Sequence, residues 1–162
     1  MMTIEQSKTL GRKETVKWTL YTFLIVELIF LLVEIRGDFA NGIIFFVDGH
    51  KHPFYLPMVT ILFTVTYFVG PRNGKDILIL KKHFFLTPFK HGLLTIWIVL
   101  AFACLGGLFR ETDRHYSIFK GLLKFILEPF MWSTLILLIP LAIYAYFCGD
   151  RIRKRNIEWE KK

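Results

Sequence analysis

The sequence predicts an all-α integral membrane protein: a four-helix bundle with both termini in the cytoplasm and short interfacial segments between spans. Three observations carry this. Of the 162 residues, 54% are hydrophobic and 17% aromatic, above the share of about 45–50% apolar in an ordinary soluble domain. The charges are excluded from four long runs, three of which hold no Asp, Glu, Lys or Arg at all, and about 20 apolar residues at helical rise cross a bilayer core of about 30 Å. Finally, Lys and Arg gather on one side of the layout those runs imply. Residues 1–17, 71–91 and 150–162 carry fifteen of them, and the two remaining connections carry six. The Lys/Arg-rich side faces the cytoplasm, so the net charge of +8 has a topological origin and no nucleic-acid partner is expected.

The domain layout follows in order. Residues 1–17 read as a cytoplasmic lead in which Thr3 and Gln6 have the spacing of a capping box on a brief helix. The spans are expected at about 18–35, 53–71, 92–109 and 129–149, within one membrane domain over 18–149, and 150–162 form a basic cytoplasmic tail. Trp18–Ile35 is too long for a secretory signal and lacks a small-residue cleavage site. The second span ends at Gly70-Pro71, before an Asn73-Gly74 turn. Asp76–Leu86 places two apolar runs around Lys81-Lys82-His83, as in a hairpin or interfacial helix lying on the inner membrane surface. Residues 118–127 read as an outer interfacial helix leading into the fourth span, where Pro140 predicts a kink. No stripe of polar residues runs along the third apolar segment, which argues against a soluble bundle.

Glu27 is the most informative single residue. It sits near the middle of the first span, and an ionisable group at that depth marks a candidate functional site whose partner has to be named. No Lys or Arg shares its depth, so the expected partners are a hydroxyl such as that of Thr64, Ser133 or Thr134, water, an ion, or another subunit. Glu34 lies seven residues on, on the same helix face, and with Glu27 would mark a proton or cation path. Small four-helix multidrug transporters also carry a glutamate in their first helix; this chain is longer, and the similarity is one of arrangement only.

On the outer side Asp48, His50 and His52, joined by His115 from the second outer connection, offer ligands of the kind zinc or copper takes, although their spacing is that of loops. Lys81, Lys82, Arg151, Arg153, Lys154 and Arg155 are expected to contact anionic lipid headgroups. Cys104 and Cys148 both fall within spans with no Cys-x-x-Cys, which excludes thiol-relay chemistry of the four-span disulfide-oxidase kind. No cofactor is implied and no catalytic residue is identified. No nucleophile elbow, phosphate-binding loop or His-Glu-x-x-His occurs. A bundle of this size is expected to have little room for a solute cavity of its own. The reading that follows is a non-enzymatic membrane subunit, a homo-oligomer or part of a larger complex in a bacterial inner membrane, with Glu27 at a helix contact or a shared pore. The alternatives are a small proton- or cation-coupled transporter or channel, and a membrane-embedded enzyme using the outer Asp/His/Arg group.

Overall fold

The computed structural model describes residues 2–35, 55–111 and 127–160. They form four helices, α1 (Ile4–Ile35), α2 (Tyr55–Leu78), α3 (Leu86–Glu111) and α4 (Glu128–Glu160), and no strand occurs among them. Three of the four, α1, α3 and α4, are long and apolar enough to cross a membrane. The fourth, α2, has 24 residues, about 36 Å at helical rise. Its last third, Arg72-Asn-Gly-Lys-Asp76, is polar, and this lowers its apolar character. The chain is an all-α integral membrane protein. Its outward faces carry Leu24, Leu28, Phe68, Trp132, Ile136 and Ile139, all exposed, as lipid-facing side chains are.

The helix starts are set by local chemistry. Thr3 and Gln6 form the reciprocal capping box: the Gln6 N–H donates to the Thr3 hydroxyl at 3.2 Å, and the Thr3 N–H donates to Gln6 Oε1 at 2.9 Å. The helix they open is not brief. It runs for 32 residues, so lead and first span are a single element of about 48 Å. At the other terminus α4 likewise continues through Pro140 and past Asp150 to Glu160, and the basic tail is helical as far as that residue. Between α2 and α3 the chain turns at Lys81, which has φ 52°. There the Lys82 N–H reaches the Asp76 carbonyl at 2.9 Å and its ammonium the Asp76 carboxylate at 2.8 Å. The His83 imidazole then caps α3, accepting from the N–H groups of Phe85 and Leu86 at 3.2 and 3.4 Å.

The four helices pair as two antiparallel hairpins. In the first, α1 and α2 touch backbone to backbone. A Cβ added to Gly70 would lie 2.6 Å from the Cα of Arg12. One added to Gly11 would strike the backbone of Gly74, and one added to Gly74 would strike the carbonyl of Ser7. Gly70-Pro-Arg-Asn-Gly74 is therefore a small-x-x-x-small contact of the kind that lets membrane helices approach, and it faces the Ser7-x-x-x-Gly11 pair. This corrects the turn expected at residues 70–74: α2 runs on through Pro71 to Leu78. Proline withholds one N–H, and the close packing of α1 holds the helix together across that gap. Farther along, Phe23 meets Phe63 and Tyr55 meets Glu27. In the second hairpin, Phe84 lies against Gly149, Gly92 against Leu141 and Tyr144, and Trp97 against Phe130.

The tightest packing lies at the end that holds both chain termini. Its core is Ile77, Leu78, Leu141, Tyr144, Ala145, Cys148 and Ile152, with Trp18, Phe84, Phe85 and Phe89 against it. Ile77 and Leu78 therefore face the protein interior, as the last turn of α2, and do not lie on a membrane surface. Every Lys and Arg whose side chain is described also lies at this end.

Candidate functional site

The two hairpins are tied to each other at the basic end. Trp18 of α1 stacks on Phe147 of α4 at 5.1 Å. The Arg155 guanidinium lies 3.2 Å from the carboxylate of Glu14, which is only 1% exposed; the approach is ionic, without the alignment of a hydrogen bond. Beneath this pair runs a buried polar chain that draws on all four helices. The Asn73 amide of α2 donates to the Thr15 hydroxyl at 3.0 Å. Asn73 Oδ1 is 2.6 Å from His91 Nδ1 of α3, which in this orientation carries the proton. Thr15 also meets Cys148 Sγ of α4 at 3.7 Å. Asn73 is wholly buried, and a buried amide left without these partners would cost about 1–3 kcal/mol. Among the described residues, these polar, ionic and ring contacts between hairpins all fall within a few turns of one another.

Immediately above that tie the hairpins form a half-open cavity of about 220 Å3. It begins at Thr15 and Tyr144 and extends along α1 as far as Val26, about 16 Å of helix. All four helices line it, and among the described residues no Asp, Glu, Lys, Arg or His does. The single chain thus has a private cavity, contrary to the expectation from its size. A size argument assumes uniformly packed helices, whereas these hairpins are latched near one end. Five threonines, at 15, 19, 22, 66 and 95, supply most of the polarity of the wall. Thr15 is engaged with Asn73, and the Thr95 hydroxyl donates to the His91 carbonyl at 2.9 Å. The Tyr144 hydroxyl faces Thr15, Thr19 and Cys148. The hydroxyls of Thr22 and Thr66 have no hydrogen-bond partner among the described residues.

Glu27 is one residue beyond Val26 on α1 and does not line the cavity. It is half-buried and accepts a hydrogen bond from the Tyr55 hydroxyl at 3.0 Å. Tyr55, the first residue of α2, was not among the partners considered from sequence; a search for a countercharge or a mid-span hydroxyl passes over a tyrosine at a helix start. The Glu34 side chain lies outside the described residues. So do Asp48, His50, His52 and His115, and among the described residues no group of three possible metal ligands forms. The basic residues at the membrane surface are partly engaged within the protein. Arg153 bonds Asp150 at 3.1 Å and lies 4.5 Å over the Phe84 ring, and Lys154 bonds Asp150 at 2.8 Å. Lys82 bonds Asp76 at 2.8 Å, and Lys81 and Arg151 are exposed. Glu14, Asn73 and Thr15 were missed from sequence. The available signal was the polarity of Glu14 and Thr15 on the face of α1 that also presents Ser7 and Gly11; Asn73, on α2, reads locally as a turn former.

Fold and cavity together define a helical integral membrane protein with a half-open, largely apolar cavity within one chain, lined by no charged side chain among the described residues. No protein-family model, curated protein or solved structure matches it.

Proposed function

We propose that this protein is a non-enzymatic membrane protein that holds a small solute in the cavity between its two hairpins. The observation that carries this reading is the cavity itself, walled by all four helices of one chain. Helix pairing through Glu27 alone would need no such space, and the Tyr55 hydroxyl already supplies Glu27 with a partner inside the chain. The lipid bilayer is the surrounding solvent. The further features of the reading are four spans, both termini in the cytoplasm of a bacterial inner membrane, and Lys81, Lys82 and Arg151 toward anionic headgroups. The charge asymmetry supports the orientation. Assembly with copies of itself or with other membrane subunits remains compatible with a site complete in one chain.

The test is the thermal stability of the protein in lipid nanodiscs against a panel of neutral, anionic and cationic small molecules. A ligand that binds only the folded state raises Tm. At least one compound should raise the Tm of the wild type. Val99→Trp, which places an indole in the cavity, should abolish that rise, and Glu27→Gln should preserve it. If no compound acts, or if the rise survives Val99→Trp and is lost in Glu27→Gln, the cavity is not the site.

A further inference from the structure

The wall chemistry narrows what the cavity can take. This step rests on the cavity being the binding site. From its lining we infer that the ligand is an uncharged lipophile of about nine non-hydrogen atoms bearing one hydroxyl or carbonyl group, which is held by Thr22 and Thr66.

Size comes first. An apolar cavity of about 150 Å3 takes benzene, so 220 Å3 scales to about nine non-hydrogen atoms. The cavity is half open, so this is the part of the ligand it holds: a substituted single ring or a short stretch of acyl chain. Charge comes second. An ion leaving water for this interior would lose several kcal/mol of hydration. Among the described residues no ionised side chain lines the cavity to answer it. Coordination of a bare cation would call for about six oxygens, yet the hydroxyls of Thr15 and Thr95 are already engaged. Two carboxylates border the lining without joining it: Glu14, next to Thr15, is paired with Arg155, and Glu27, next to Val26, accepts from Tyr55. A cation path through this space is therefore disfavoured by the same residues that make the space hospitable to a lipophile.

Polarity comes third. Two wall hydroxyls, Thr22 on α1 and Thr66 on α2, lack a partner among the described residues. The contacts of Phe23 with Phe63 and of Thr15 with Asn73 set the antiparallel register of these helices and bring Thr22 and Thr66 to similar depth. The α3 and α4 part of the wall is aliphatic at Ile96, Val99, Leu100, Leu137 and Leu141, and its polar members, Thr95 and Tyr144, face the His91 carbonyl and the Thr15, Thr19 and Cys148 side chains. A ligand polar at one edge and apolar elsewhere matches this division. A single uncommitted donor-acceptor pair in an apolar pocket fixes orientation in this way.

The probes are 4-ethylphenol, ethylbenzene, benzoate and tetramethylammonium, titrated onto the full chain in nanodiscs and read by calorimetry. 4-Ethylphenol should bind most tightly and ethylbenzene more weakly, and the two ions should not bind. Thr22→Val with Thr66→Val should weaken 4-ethylphenol roughly three- to tenfold, the worth of one ordinary hydrogen bond, while leaving ethylbenzene unchanged. That second arm guards against a variant that has merely lost its fold. Binding of benzoate or tetramethylammonium that Val99→Trp abolishes would overturn the ligand class and leave the cavity as the site. Binding of no probe, with the panel above also silent, would overturn both. Equal loss of 4-ethylphenol and ethylbenzene in the double variant would overturn the role of the threonines. The lipophile can be a free molecule or the tail of a bilayer lipid. If 4-ethylphenol releases one lipid per chain, as counted by native mass spectrometry, the resident is a tail; binding without release makes it a free small molecule.

Discussion

At the scale of single residues, glycine decides how near the first two helices come, and a buried amide decides how they are held to the other two. Gly74 leaves no space for a Cβ against the Ser7 carbonyl, and neither neighbour is a side chain that can swing aside. Gly74→Ala should therefore push α1 and α2 apart and cost about 2 kcal/mol or more, in the range of overpacked contacts. Thr64→Ala, at an exposed position on the same helix, should stay within about 0.5 kcal/mol. Reversible unfolding in mixed micelles measures both; equal small effects would mean that the glycine contact does not hold the hairpin. These residues were readable in part. Gly70 and Gly74 were visible, but Pro71 and Asn73 beside them are turn formers, and that local signal hid the packing role. Glu27 stood out at once as an ionisable residue within a span, whereas its partner depended on where α2 begins.

At the scale of elements, most of the fold was legible because hydrophobic length and capping are local properties. Thr3 and Gln6 marked the start of α1 to the residue. That the polar lead belongs to α1 and the basic tail to α4 was not legible, since these polar ends look like loose tails until they pack on one another. Glu14, Gly11 and Ser7 are buried by α2 and α4, and Ile152 by the shared core. The connection between α2 and α3 has its own test. Lys81 adopts a left-handed conformation, which costs an L-residue with a Cβ about 1 kcal/mol and costs glycine almost nothing. Lys81→Gly should leave the fold unchanged and raise unfolding stability by up to about 1 kcal/mol, offset in part by the freer unfolded chain. A clear loss of stability would show that the Lys81 side chain contributes more than the turn does.

At the scale of the whole molecule, two hairpins latched near one end produce a property that no local pattern contains. Each hairpin is held by its own contacts, and among the described residues the ties between them are Trp18–Phe147, Glu14–Arg155, Thr15–Cys148, Asn73–His91 and the apolar core of Ile77 and Leu78 with Leu141, Tyr144 and Ile152. The cavity lies next to those ties. It is set by the distance between helices that are far apart in sequence, so composition and periodicity were silent about it. Its threonines were visible only as scattered mild polarity within apolar runs. The most direct measurement is the number of 4-ethylphenol molecules bound per chain, obtained by native mass spectrometry of the protein released as a monomer from nanodiscs. One molecule per wild-type monomer, and none on Val99→Trp, is the expected result. Binding that appears only on dimers or larger species, or that persists in Val99→Trp, would contradict a site complete within a single chain.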